Sequence, residues 1–279
     1  MLQIGNKVRA FHHWGKSAGW PAALTYAAHR AMTALGLREP STHRIKPRQA
    51  NYPVIARLGG SSDMSVLQGI FLYDEYACLR NISSPRLILD LGANVGYSSA
   101  YFLSCFPTAT VVAVEPDPDN FELCRKNLAP YGDRVHVVLG AVWSKRSRLV
   151  LSRGTFRDGR EWATQVHESE GKHDEAAIEG WDIPSLVELT GGEQIDLLKV
   201  DIERSELNVF GANSSSWLPK VRNICIELHG ADCREVFLHA LRDFEYDLGC
   251  SGELTVCRNL RRKECLFPRL PLGLAQLLD

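Results

Sequence analysis

The chain has 279 residues, enough for one large domain or one domain with an extension, and its 45% hydrophobic and 23% charged content is that of a globular protein. A formal net charge of -1 gives no general reason to expect nucleic acid as a partner. Its eight cysteines are scattered without a C-x-x-C pair and no apolar run approaches the ~20 residues of a membrane span, so the expectation is a reduced, cytoplasmic protein without a disulfide frame, zinc site or integral membrane segment.

Residues 1–50 read as a helical extension and linker. FHHWGKSAGWPAALTYAAHRAMTALGL predicts a helix from about Pro21, either docked on the main domain or covering a substrate or making a peripheral membrane contact. LREPSTHRIKPRQANYP is expected to be irregular, because prolines and polar residues interrupt any period. Residues 51–260 then form the main domain, and 261–279 a tail with a basic turn and a short helix.

In the main domain PVIARL predicts a strand, GGSSD a turn, and MSVLQGIFLYDEYACL a helix capped by Ser62 or Asp63. An alternation follows: strand LILDL, helix YSSAYFLSCF, strand TVVAVE, helix DNFELCRKNLAPYG, strand RVHVVLGAVW. Strands and helices taking turns imply a mostly parallel sheet with right-handed crossovers and helices on both faces. RLVLSRG and EWATQVH suggest a hairpin, and HESEGKHDEAA a charged loop. Further on come helix IPSLVEL, strand IDLLKVDIE, a helix from Ser205 to Phe210, strand VRNICIEL, helix CREVFLHALRDF and a hairpin from Tyr246 to Arg258, which would place an antiparallel strand at one edge.

The stretch LILDLGANVGYSSAYFL poses the functional question, since glycines after a strand suggest a nucleotide loop. A dinucleotide loop wants G-x-G-x-x-G, but Asn94 holds the second glycine position and Tyr97 the third, and no Gly-Lys-Ser/Thr follows for a phosphate loop. Asp90 ends the strand beside the loop, where a pyrophosphate would meet a repulsion of about 4 kcal/mol per unit-charge pair at 4 Å. S-adenosylmethionine instead carries an ammonium and a sulfonium, which a carboxylate attracts. Glu115 ends the next strand, where a carboxylate can take both ribose hydroxyls. D-x-G-x-N-x-G followed by V-E-P-D therefore favours an S-adenosyl cofactor over a dinucleotide.

With these blocks in hand the chain resembles the FkbM-type methyltransferases, which use S-adenosylmethionine to methylate hydroxyls. The resemblance rests on DLGANVG (Asp90 to Gly96), VAVEPDPDNFELCRKNL, IDLLKVDIERSE and ICIELH, and it reaches upstream to ARLGGSSDMSVLQGIFLYDEY. It implies a Rossmann-like class I methyltransferase fold with a mostly parallel seven-stranded sheet and an antiparallel edge strand. Cofactor-binding residues are then expected at Asp90, Gly92, Ala93, Asn94, Gly96, Glu115, Pro116, Ala141 and Asp201. One position departs from the family pattern K-x-D-x-E-G-x-E: Arg204 stands where the glycine would be, to contact a substrate or to pair with Glu206.

Lys199, Asp201 and Glu203 alternate, so on a strand they share a face at the end where ligands bind. They are the candidate catalytic residues, together with His229, whose ordinary pKa suits a base at neutral pH. Lys199 and Asp201 could equally be a bracing ion pair. Asp201, Glu227 and His229 could also surround a divalent metal, which their spacing does not require. The resemblance, with the loop, implies O-methyl transfer, and the resemblance implies as acceptor a sugar, glycan precursor or polyketide-like small molecule. A lid over the site is expected from the N-terminal extension or the loop from Gly154 to Asp174. The other readings are a non-catalytic S-adenosyl-binding module and, against the loop residues, a dinucleotide-dependent oxidoreductase.

Overall fold

A computed structural model describes residues 41–58, 61–152, 165–168 and 177–264, and within the first forty residues only Gly15, Trp20, Leu24, Ala27, Ala28, Ala31 and Met32. The expected N-terminal helix therefore falls largely outside the described residues, as does the tail beyond 264.

The central sheet has seven strands: β3 (Leu87–Leu91), β4 (Thr110–Glu115), β5 (Val135–Leu139), β10 (Leu197–Val200), β11 (Ile224–Glu227), β12 (Phe244–Ser251) and β13 (Leu254–Arg262). Their spatial order is β12-β13-β11-β10-β3-β4-β5. Every pairing from β5 to β11 is parallel, whereas β13 runs antiparallel to both β11 and β12. This is the expected class I arrangement, with the antiparallel strand lying one in from the rim.

The strands alternate their side chains between two cores, as the pleat requires. Leu87, Leu89 and Leu91 join Val112, Leu198 and Ile226 on one face, under helices α4 (Ile183–Glu188), α5 (Glu206–Gly211) and α7 (Ala231–Ala240). Ile88, Val111, Leu197 and Cys225 lie on the other, against α1 (Asp63–Phe71), α2 (Tyr97–Cys105) and α3 (Pro118–Leu128). That second core is rich in stacked aromatic rings: Tyr76 packs on Tyr101 and Phe102 at centroid distances of 5.9 and 5.0 Å. Such edge and tilted contacts add to simple burial.

Local signals account for the helix starts. Asp117 caps α3 by accepting from the backbone N–H groups of Asp119 and Asn120, with Pro118 in the first turn, and Asp182 caps α4 through Ser185. Asp63, expected as a cap of α1, instead binds the Arg57 backbone N–H and guanidinium, and the Ser62 side chain makes no capping bond.

Two segments differ from expectation. Residues 41–45, read as irregular, form strand β1 (Ser41–Ile45), antiparallel to β2 (Val54–Leu58). Its prolines, Pro40 and Pro47, flank the strand and leave its backbone donors intact. Part of the segment read as loose before Trp181 is strand β9 (Ala177–Trp181). It completes a second sheet, β6-β9-β7-β8, with β6 (Ala141–Val142), β7 (Ser147–Ser152) and β8 (Gln165–Glu168). The predicted β7–β8 hairpin pairing is present. The sheet β1–β2 is tied to the main domain by Asn127 of α3, which accepts from the Ile55 N–H and donates to the Ile55 and Val95 carbonyls.

Every cysteine among the described residues is free. No helix among the described residues is long and apolar enough to cross a membrane.

Candidate active site

A cleft of about 460 Å³ opens at the carboxyl ends of β3, β4, β10 and β11, the position where parallel α/β sheets bind ligands. One wall is the loop after β3. Gly92 has φ +78, and a Cβ there would lie 1.8 Å from the Asp201 carbonyl oxygen, so only glycine lets the two chain segments touch. The Gly92 and Ala93 N–H groups donate to the Val114 carbonyl, which binds the loop to β4. Gly96, at φ +85, turns the chain into α2 and backs onto Cys124 and Leu128.

Glu115 sits at the cleft's second wall. Its carboxylate accepts from Asn94 N–H at 2.8 Å and from Asp117 N–H at 2.9 Å. Burial nevertheless outweighs those donors and raises its pKa to about 7. Asn94, at φ +49, also lines the cleft, and its Oδ1 is buried without a hydrogen-bond partner.

Gly92, Ala93, Asn94, Glu115, Pro116, Ala141, Lys199, Asp201 and Glu203 all line this space. Asp90, Gly96 and His229 do not, although each was expected at the site. Asp90 is fully buried; one carboxylate oxygen accepts from Ser98 and Ser99 Oγ, both at 2.6 Å, and the other lies 3.1 Å from Lys199 Nζ. The expected direct attraction between Asp90 and a cationic cofactor is therefore corrected: its charge is spent on the loop's own scaffold.

Lys199 braces the same place. It is the register partner of Asp90 across β3 and β10, on the same face of the sheet, and its Nζ donates to the Gly92 carbonyl at 2.7 Å. Burial opposes its charge, but Asp90 and Asp201 more than compensate and the pKa is raised. Asp201 lies farther away, at 3.9 Å. Lys199 is thus a holder of the loop more than a group for the reaction.

The alternation of Lys199, Asp201 and Glu203 does not persist as a strand. β10 ends at Val200, and Glu203 (φ +47) and Arg204 (φ +78) form a left-handed turn before α5. That turn still delivers Glu203 to the neighbourhood of Asp201. Arg204 does not pair with Glu206; its guanidinium donates to the His229 carbonyl at 2.9 Å and to Asp232.

His229, 4% exposed, lies just behind the cleft. Its Nδ1 is 2.9 Å from Oε1 of the wholly buried Glu206. Its Nε2 faces Glu227 at 3.4 Å and Asp201 and Glu203 at 3.6 Å each. Burial disfavours the charged ring, but this ring of carboxylates prevails and lifts the pKa to about 10. At neutral pH the imidazole of the isolated chain is protonated, which removes it as the free base expected from the sequence.

The sequence reading missed part of the cleft. Ser65, Val66, Gly69 and Ile70 of α1, followed by Glu75 and Tyr76, form its far wall, and Glu253 reaches in from the β12–β13 turn. Burial raises the Glu75 pKa. An acidic residue inside the aromatic stretch FLYDEY was the available signal for Glu75; nothing in the hairpin marked Glu253. Val166 of β8 also lines the cleft, while residues 154–164 and 169–174 of the expected lid loop lie outside the described residues.

The sheet order, the loop and the acid after β4 agree with one family, and residues 90–249 match the model of the methyltransferase FkbM domain. The chain belongs to the FkbM methyltransferase family. As such it is an S-adenosylmethionine-dependent methyltransferase. Among relatives, methyltransferase sdnD of Sordaria araneosa is 29% identical over 203 residues, covering 59% of this chain and 76% of its own. The 2-O-methyltransferase NoeI of Sinorhizobium fredii is 30% identical over 154 residues, covering 50% of this chain and 62% of its own. Of solved structures, TrmK of M. capricolum, determined with S-adenosylhomocysteine, is a distant likeness: TM-score 0.40 and 11% identity over 70% of this chain and 71% of its own.

The cleft suits the cofactor of an FkbM methyltransferase. Gly92 lets the loop after β3 pack against the end of β10 at the cleft wall, Glu115 offers an acceptor at the strand end, and the Oδ1 of Asn94 lacks a partner that a bound amine or water would supply.

Proposed function

We propose that this FkbM methyltransferase is an O-methyltransferase acting on a hydroxyl of a sugar, glycan precursor or polyketide-like small molecule. The observation that carries the reading is the cleft itself: a cofactor cradle at Gly92–Asn94 and Glu115 continues into a polar end walled by Glu75, Asp201, Glu203 and Glu227. That end offers acceptors to a hydroxylated substrate. The 2-O-methyltransferase NoeI among the relatives supports the oxygen acceptor.

S-adenosylmethionine supplies an electrophilic methyl on a sulfonium centre. Glu115 is placed to accept from the ribose hydroxyls, held for that task by the Asn94 and Asp117 N–H groups. The backbone of Gly92, Ala93 and Asn94, with Pro116 and Ala141, shapes the rest of the cradle. Asp90 and Lys199 act from behind, by fixing the loop. Asp201 bridges the two halves of the cleft. Burial, moderated by Lys199, raises its pKa. Asp201 would orient the acceptor hydroxyl and take its proton, with Glu203 beside it; most of the acceleration would come from holding the acceptor in line.

The test is calorimetry of S-adenosylhomocysteine, with NAD as control, on the wild type and Glu115→Ala, followed by methyl transfer to panels of hydroxylated acceptors. Micromolar binding lost in Glu115→Ala, with turnover on a hydroxyl lost in Asp201→Ala, is expected. Binding of NAD in place of S-adenosylhomocysteine, or undiminished turnover by Asp201→Ala, would overturn the assignment of these roles.

A further inference from the structure

At the polar end of the cleft four carboxylates surround one buried imidazole, three of them at the same nitrogen. Asp201, Glu203 and Glu227 surround His229 Nε2 at 3.4–3.6 Å, and Glu206 holds Nδ1 from the other side. Nε2 is buried and makes no well-directed hydrogen bond. One ligand atom each from Asp201, Glu227 and His229 lie within 4.8 Å of one another.

Two features separate this from an ordinary acidic patch. The first is orientation. The Glu206 carboxylate at 2.9 Å fixes Nδ1 as the ring's donor, so Nε2 is the nitrogen presented to the three carboxylates. A carboxylate–histidine pair with the far nitrogen turned to oxygen ligands is how metal-binding imidazoles are held. The second is spacing. Neighbouring ligands in a shell of about 2.0–2.2 Å radius stand roughly 3.0–3.5 Å apart, so oxygen-to-nitrogen gaps of this size leave room for an ion between them. Lys199 Nζ stands 3.9 Å from Asp201 and also holds Asp90 and the Gly92 carbonyl, so it offsets only part of the negative charge at this end.

We propose that Asp201, Glu227 and His229 bind a divalent first-row cation at the acceptor end of the cleft, with Nε2 of His229 as the nitrogen ligand and Glu203 beside it. One nitrogen and two carboxylates suit manganese, iron or zinc better than calcium or magnesium, which prefer all-oxygen shells. Asp201 and Glu227 line the cleft, so a cation held by them would meet the acceptor's oxygen there. Its bearing on the acceptor rests on the O-methyltransferase reading; the site itself does not. Arg204 then has a positioning role, since it fixes the His229 backbone from the turn that carries Glu203.

The test uses the full chain, stripped with a chelator and titrated with manganese chloride, with free and bound ion followed by electron paramagnetic resonance. One bound manganese per chain is expected, with nitrogen hyperfine coupling from an imidazole in the pulsed spectrum. Glu227→Gln should weaken it about 10-fold or more while S-adenosylhomocysteine still binds. No bound manganese, or bound manganese without nitrogen coupling, overturns the site and leaves a proton on His229 as its occupant. Equal affinity in Glu227→Gln overturns it as well. If that variant does not fold, the nitrogen coupling in the wild type decides. S-adenosylhomocysteine binding without cation binding sinks this inference and leaves the methyltransferase reading standing; the converse does the reverse.

Discussion

Lys199 and Asp90 are register partners on adjacent strands, with Nζ 3.1 Å from Oδ1 and neither side chain more than 3% exposed. The pair stands directly under the cofactor loop, because Nζ also holds the Gly92 carbonyl. Removing one partner leaves a buried charge without its counterion. Lys199→Met is therefore expected to cost about 3–5 kcal/mol, read from the urea midpoint, and Lys199→Met with Asp90→Asn to recover part of that loss. A change below 1 kcal/mol would show that the pair does not brace the loop.

Glu115 links the cofactor to pH. Its pKa of about 7 in the folded chain stands above the ordinary carboxylate value of 4.5. The raised value means that this group's contribution to folding stability is fully present below pH 4.5 and is lost as pH rises through about 7. In the proposed role ribose binding runs the other way, since the ionised carboxylate would accept from both hydroxyls. Affinity for S-adenosylhomocysteine should fall about 10-fold between pH 8 and pH 6, and Glu115→Gln should bind weakly with a flat profile. A wild-type profile as flat as the variant's would contradict this role.

Gly92→Ala should be among the most damaging single-methyl changes in the chain. The added Cβ meets the Asp201 carbonyl at 1.8 Å, and φ +78 is costly for any L side chain. The loop and the end of β10 must separate, which moves the cofactor wall and Asp201 together. We expect loss of S-adenosylhomocysteine binding by calorimetry and a fall in melting temperature of several degrees. Binding within 2-fold of wild type would show that the two segments are not held in contact.

Arg204 occupies a left-handed turn, where glycine would be unstrained, yet it supplies a hydrogen bond to the His229 carbonyl and an ion pair to Asp232. Arg204→Ala keeps the strain and loses the bond, with an expected cost of about 1–2 kcal/mol in chemical denaturation. Arg204→Gly loses the same bond but relieves the backbone, so it should be more stable than Arg204→Ala. The opposite order would show that the left-handed backbone at position 204 carries no strain for glycine to relieve.

Much of the frame was legible in order. LILDL, TVVAVE and the helices after them announce themselves by apolar runs, a capping Asp117 and paired glycines, and the family blocks place them in a methyltransferase sheet. β1 escaped notice because Pro40 and Pro47 made a strand look like a linker, when they stand outside its paired residues. β9 escaped because a short strand next to charged residues has no period of its own; its pairing with β6 and β7 makes it one.

The candidate site divides in the same way. By itself the sequence determined the cofactor: Asn94 and Tyr97 break the dinucleotide pattern, Glu115 ends its strand, and these are local facts of spacing. Only the tertiary structure decided what each charge does. Asp90 and Lys199 meet because β3 and β10 are neighbours in the sheet though far apart in the chain, and that pairing buries Asp90 behind the loop while Lys199, still at the cleft wall, is held by it. His229 looked like a base until folding brought Asp201, Glu203, Glu206 and Glu227 around it. The charge state of a side chain depends on burial and on neighbours a few ångströms away, and those neighbours come from segments that spacing along the chain cannot bring together.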